Sequence, residues 1–130
     1  SGAWRGLRLA TDRAAMLRSI LEGIATGIAL AVDAVRATGA PWPPVVPRVG
    51  GGTHDPAFRQ LLASATGCAL AVVEAPDAAV IGAAMTAMGR VRAPSAPPTI
   101  QVVEPDPVQA EVLGLRRAGY LAACQSERAR

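Results

Sequence analysis

The stretch Val45-Val46-Pro47-Arg48-Val49-Gly50-Gly51-Gly52-Thr53-His54-Asp55-Pro56 passes from a β-branched run, through three glycines, into the opening of a helix. Valine at 45, 46 and 49 suits a strand, while Asp55 followed by Pro56 has the chemistry of an N-cap and a first helical residue. Between them the glycines remove every Cβ, so the backbone can take positive φ and a ligand can approach the bare main chain. Turns at the carboxyl ends of strands are where α/β sheets hold ligands. A flexible turn is the plain alternative for a glycine triplet taken alone, so its surroundings have to decide.

Downstream, Phe58, Leu61, Leu62 and Ala65 form the apolar face of a helix that Gly67 ends, and Ala69 to Val73 is a second apolar strand. A strand-helix-strand unit crosses over right-handedly and makes its strands parallel, which puts the glycine turn at their carboxyl edge. Pro47 cannot donate to a ladder, so its strand lies at a sheet edge or points its residue 47 nitrogen away from a neighbour. Upstream, Leu17, Ile20, Leu21, Ile24, Ile28, Ala31, Val32 and Val35 recur at helical spacing. Thr11 or Asp12 can start that helix and Gly39 stops it before Pro41-Trp42-Pro43-Pro44. Gly23 and Gly27 leave a groove on it where another backbone could pack closely.

Pro76-Asp77 opens a third helix, to about Met88, whose Gly82, Ala83 and Ala84 make a slim surface expected to be tightly packed. Residues 89 to 103 read as a proline-rich connection with a short extended piece at Ile100 to Val103. Asp106 and Pro107 then start a last helix with Val108, Val112 and Leu115 on its apolar side. A frayed tail is expected over 125–130. The expected class is α/β, helix-rich with a small parallel strand pair, in one domain.

Composition narrows the chemistry. With 51% hydrophobic but 3% aromatic residues, the interior is built from Ala, Val, Leu and Ile, which suits helices lying close on a sheet. All 13 basic residues are arginine. Without lysine, the phosphate loop that ends in Gly-Lys-Ser/Thr is excluded. The arginines are scattered beside acids, as in Asp12-Arg13 and Glu127-Arg128, and form no stripe for nucleic acid. Cys68 and Cys124 have no histidine at ligand spacing; they read as two buried free thiols in a reducing, cytoplasmic setting, with a disulfide as the alternative. The apolar run Ile20 to Val35 carries Glu22 and Asp33, so it reads as a soluble helix and no membrane partner is expected. His54, the only histidine, reads as an exposed loop residue, Phe58 as core, and Arg59 and Gln60 as facing solvent or a cleft. Trp4 is expected to be ordered only against structure outside the chain. Glu22 reads as an anchor for a loop.

Taken in order, four stretches resemble the carboxyl-terminal nucleotide-binding domain of the FGGY family of carbohydrate kinases, over about Gly2 to Cys124. Gly2-Ala3-Trp4-Arg5-Gly6-Leu7, followed after a gap by Met16-Leu17-Arg18-Ser19-Ile20-Leu21-Glu22-Gly23, resembles the family's second signature. Ala15 departs from it, standing where the family carries a polar or acidic residue. Gly50-Gly51-Gly52-Thr53-His54-Asp55-Pro56-Ala57-Phe58-Arg59-Gln60 is similar to the family's adenosine loop, Ala78 to Met85 to the small-residue helix after it, and Glu104-Pro105-Asp106-Pro107 to the start of its terminal helix. The Gly-Gly-Gly-Thr-x-x-Pro form and the Glu-Pro-Asp-Pro ending look most like the pentulose kinase branch.

The resemblance implies a partial actin-like, ribonuclease-H-like ATPase domain that serves transfer of the γ-phosphoryl group of ATP, with Mg²⁺, to a sugar or polyol hydroxyl. It implies that the catalytic aspartate base and the sugar-binding residues lie in an N-terminal domain that this chain lacks, so residues 1–124 form a fragment that is not catalytic by itself. Gly50, Gly51, Gly52, Thr53 and Asp55 are then the nucleotide-binding candidates. As an N-cap, Asp55 puts a negative charge where helix amides would otherwise welcome a phosphate. That carboxylate suits a donor instead, an adenine amino group or a ribose hydroxyl; its other reading is a cap and nothing more. The uncovered sheet is expected to favour a homo-oligomer. An actin-like or regulatory nucleotide-binding module acting through partners is the alternative, and an upstream aspartate base with a sugar pocket would separate the two.

Overall fold

Asp12 starts the first helix because its carboxylate accepts the Ala15 amide at 2.7 Å, and α1 runs over Arg13–Ala37. Thr38 closes it, and Gly39 takes φ +75° to leave it, as its position after the last apolar residue predicts. The computed structural model describes residues 4–48, 55–73, 77–89 and 99–128, with nothing stated of the side chains at 100, 127 and 128. After α1 come β1 (Val45–Arg48), α2 (Pro56–Thr66), β2 (Ala69–Val73), α3 (Ala78–Ala87), β3 (Thr99–Val103) and α4 (Pro107–Arg128).

β1 pairs with β2 in parallel, Val45 opposite Ala69 and Arg48 opposite Val72. The expected parallel pair is part of a larger sheet. β3 joins β2 antiparallel, Leu70 opposite Val103, in the order β1-β2-β3. The extended piece at Ile100 to Val103 is therefore a full strand, and the sheet is mixed. Its β1 is an edge strand, which is where Pro47 costs least.

The core gathers Leu61, Leu62 and Ala63 of α2, Leu70 and Val72 of β2, Val103 of β3, and single residues from α1 and α4, Ala25 and Leu113. On α2, Leu61 and Leu62 of the expected apolar face are buried and Phe58 and Ala65 are half-buried against the core, while Ala63, Ser64 and Thr66 are buried as well. On α1 the expected and the buried faces differ: Ala25, Thr26 and Ala29 are buried, whereas Leu17, Ile20, Ile24, Ile28 and Val35 keep 38–52% of their surface exposed. α4 behaves alike, with Leu113 inward and Val108, Val112 and Leu115 exposed. α3 buries no residue, and a Cβ built on Gly82 meets nothing within 4 Å. The tight packing expected of that slim surface is not made among the described residues. By length and composition α1 could cross a membrane; here its small residues pack on the rest of the chain.

Polar contacts fix α4 across α1. Glu22, only 13% exposed, takes Arg18 at 2.7 Å and Arg116 at 2.6 Å, so it anchors a helix rather than a loop. Asp33 pairs with Arg117. Tyr120 fills the Gly23–Gly27 groove, its ring 4.0 Å and its hydroxyl 3.8 Å from Cβ atoms built there; a side chain, not a backbone, uses the space. Cys68 is buried but Cys124 is exposed, contrary to the expectation of two buried thiols, and both are free. α4 continues to Arg128, past Gln125 where a tail is expected.

Burial pushes the Glu22 carboxyl up, but the hydrogen bonds and charges of Arg18 and Arg116 outweigh burial and hold it below its ordinary value. A carboxyl depressed on folding stabilises the fold above its unfolded pKa, about 4.3, and that contribution is lost as pH falls through the folded value. Glu22→Gln is therefore expected to cost about 1 kcal/mol at neutral pH, with both arginines well exposed and screened. Urea midpoints for the two proteins should converge as the pH is lowered below the unfolded value, about 4.3. A gap that stays constant down to about pH 3 would show that Glu22 contributes by packing alone.

Candidate functional site

The parallel strands β1 and β2 end on the same edge of the sheet, at Arg48 and Val73, and α2 opens after β1 with Asp55 at its cap. Asp55 Oδ1 accepts the amides of Ala57 at 2.8 Å and Phe58 at 3.4 Å, and Pro56 occupies the first helical position. Both capping bonds use one oxygen. Oδ2 stands outside them on an exposed side chain, so capping and accepting a bond from a ligand are compatible at this residue. Gly50, Gly51, Gly52 and Thr53, with His54, lie outside the described residues; Asp55 is the one candidate site residue placed here.

Phe58 is half-buried against the core, and the Arg48 guanidinium stands over its ring at 5.0 Å. That face of the ring is taken by a cation, which agrees with a core role rather than a base-stacking platform. Burial first, and then the positive charge of Arg59, draw the Arg48 pKa down from its ordinary value. An arginine remains charged all the same.

The neighbouring residues of α2 do not simply face solvent. Arg59 donates to Gln101 Oε1 at 2.9 Å, Gln60 Nε2 donates to the Glu104 carbonyl at 2.7 Å, and Ser64 Oγ accepts the Asp106 amide at 3.1 Å. These three bonds tie one flank of α2 to the junction of β3 and α4. The sequence marks Gln60 only by its place in the loop resemblance, because its partner is a main-chain carbonyl 44 residues away.

Metal chemistry finds no protein cage here: among the described residues no three His, Cys, Asp or Glu side chains gather. A magnesium ion that arrives with a nucleotide is held largely by phosphates and water, so the residues present are compatible with one. A cavity of about 550 Å³ lies elsewhere, between Trp4, Met16, Ser19, Ile20 and Tyr120, and draws nothing from β1, α2 or β2. Trp4 is fastened there, its Nε1 donating to Ser19 Oγ at 3.1 Å, although 49% of its surface is exposed. Its order thus has a support within the chain.

Residues 1–90 match the FGGY family of carbohydrate kinases, C-terminal domain. Among solved structures, the chain is similar to a xylulose kinase from Brucella ovis, with a TM-score of 0.78 and 25% identity over 98% of this chain and 28% of that one. It is also similar in fold to the xylulose kinase from Rhodospirillum rubrum, with a TM-score of 0.78 and 22% identity over 99% of this chain and 28% of that one. No curated protein sequence matches. The chain thus spans a little over a quarter of those kinases, with the helix-rich fold of their actin-like C-terminal domains. With more than half of its length matched by the family, the chain belongs to the FGGY family of carbohydrate kinases, through their C-terminal domain.

Proposed function

We propose that this chain is the ATP-binding portion of a carbohydrate kinase that transfers the γ-phosphoryl group of ATP, with Mg²⁺, to a sugar or polyol hydroxyl, a pentulose such as xylulose or ribulose. One observation carries the site: in a chain of this family, a parallel strand leads through a glycine triplet into a helix capped by Asp55 and started by Pro56. The glycines at 50 to 52, which carry no Cβ, and the neighbouring Thr53 suit phosphate or ribose, and the Asp55 carboxylate accepts from an adenine amino or ribose hydroxyl group. Phosphoryl transfer depends on positioning and charge stabilisation. The base and the sugar pocket belong to an N-terminal domain outside the chain, which makes residues 1–124 one wall of a cleft and the chain alone inactive. We place the parent enzyme in the cytoplasm. The exposed α1 stripe and the edge of β1, unpaired on one side among the described residues, are surfaces through which isolated copies would associate.

Calorimetric titration with Mg-ATP tests the site. Wild type is expected to bind and Gly51→Val to lose binding. Asp55→Ala should lose affinity and also about 1 kcal/mol of stability, because the cap goes with the carboxylate. Asp55→Ser separates the roles, since serine caps as well but brings no charge. Stability retained with affinity lost assigns Asp55 to the ligand; equal binding by all four proteins rules the site out.

A further inference from the structure

We propose that the cavity enclosed by α1, α2 and α4 is a binding site for a small neutral polyol. It measures about 250 Å³, and every buried polar side chain among the described residues lines it: Thr26 from α1, and Ser64 and Thr66 from α2, with 9%, 3% and 6% of their surface exposed. Such clustering needs a reason, because a buried hydroxyl is costly unless its bonds are satisfied. On the other side, α4 closes the space with Gly114 and Arg117. The cavity adjoins the last turn of α2, at the opposite end of that helix from Asp55, and the inference goes beyond the nucleotide reading and does not depend on it.

What the cavity can hold follows from how its protons are used. Each hydroxyl has one proton and donates it to the carbonyl four residues back, Thr26 to Glu22 at 2.7 Å, Ser64 to Gln60 at 2.9 Å and Thr66 to Leu62 at 2.8 Å. With that proton spent, a hydroxyl can only accept. Ser64 Oγ already accepts the Asp106 amide, which leaves Thr26 and Thr66 as the acceptors for an occupant. The carbonyl end of α2 adds partial negative charge to the same wall. An occupant must therefore donate. At the mouth, the partly exposed Asp33 and Arg117 form an ion pair. Their bond uses one carboxylate oxygen and one of the five guanidinium N–H groups, so the pair can still both accept and donate. It also decides the charge. An ammonium ion would meet the Arg117 guanidinium, an anion would meet Asp33 and the hydroxyl lone pairs, and a hydrocarbon would strand the acceptors. Neighbouring hydroxyls on a neutral carbon chain suit all the walls: they donate to Thr26, Thr66 and Asp33 and accept from Arg117. A water takes about 30 Å³ in the liquid, so the space suits a molecule of a few carbons rather than a single water.

The test is a titration of the isotopically labelled chain with glycerol, with ammonium chloride and sodium sulfate as charged probes, followed by amide chemical shifts. Glycerol is expected to move the amides of Thr26, Thr66 and Gly114 along a saturable curve with a midpoint of about millimolar, as befits so small a ligand. Thr26→Val and Thr66→Val, which keep the shape and remove an acceptor, should each raise the midpoint about fivefold, the worth of one net hydrogen bond. Gly114→Leu, at a residue where a built Cβ meets nothing within 4 Å, should abolish saturation by filling the space. The three variants lie on three different helices, so misfolding of one leaves the others to decide. Shifts that grow in proportion to glycerol without saturating, or that saturate equally in wild type and in every folded variant, overturn the site and leave water as the content of the cavity. Saturation by ammonium or sulfate in place of glycerol overturns the neutral class of ligand.

Discussion

Leu62→Ala is expected to remove most of the chain's stability, with a urea midpoint less than half that of wild type. Leu62 is 6% exposed in the middle of α2, in one cluster with Leu61, Leu70, Val72 and Val103. Among the described residues no large side chain is completely buried, and much of the remaining interior is alanine, so each long aliphatic carries an unusual share of the buried apolar surface. Truncating a buried leucine costs about 2–5 kcal/mol, the lost transfer energy plus the cavity left behind. Domains of this kind have only about 5–15 kcal/mol to lose. The rows of exposed aliphatics on α1 and α4 argue for the lower end here. Val80→Ala on α3, where the residue is 68% exposed, is the matched control and should move the midpoint by less than about 0.5 kcal/mol equivalent. A Leu62→Ala effect as small as that control would mean that α2 does not hold the core together.

What the sequence discloses and what it conceals divide along the range of the interactions. The start and end of α2 are legible because Asp55, Pro56 and Gly67 act on their own backbone within a few residues. Pro47 narrows β1 to a sheet edge or to a residue 47 nitrogen turned away from a neighbour, since a missing N–H is a local fact, and the strand order then shows the edge. The antiparallel β3 is illegible in kind: its residues other than Gln101 are β-branched, but the direction in which Val103 meets Leu70 depends on a connection without periodicity. The inward face of α1 is hidden for another reason. A wide apolar helix shows which residues could be buried, and only its neighbours select Ala25 and Ala29 over the larger Ile24 and Ile28. Glu22 similarly announces that an apolar helix carries a charge, while its partner Arg116 is 94 residues away. At the site, Asp55 is readable through its capping chemistry. The link from Gln60 to Glu104 is not, because any residue type at 104 offers the same carbonyl.

Ala63→Leu should cost about 1–3 kcal/mol, the usual toll of forcing extra methylenes into a packed interior. Ala63 and Ala25 are both 0% exposed in the same cluster, one on α2 and one on α1, and a composition of 51% hydrophobic but 3% aromatic residues makes small side chains the means of close helix approach. The four-carbon side chain of leucine has no free volume there and must push the helices apart. Ala63→Ser should be far milder, because a helical hydroxyl can donate to the carbonyl four residues back, as Thr26, Ser64 and Thr66 do at 2.7, 2.9 and 2.8 Å. Ala84→Leu makes the same addition on α3, on an exposed residue, and is expected to stay within about 0.5 kcal/mol in this chain. Urea unfolding of the three variants decides whether close packing or mere apolarity joins α1 to α2. If Ala63→Leu proves as harmless as Ala84→Leu, close packing is refuted. Should Ala84→Leu become costly once the N-terminal part of the proposed kinase is present, the slim surface of α3 has its partner there, and the smallness of Gly82, Ala83 and Ala84 acquires the reason that this chain alone does not give it.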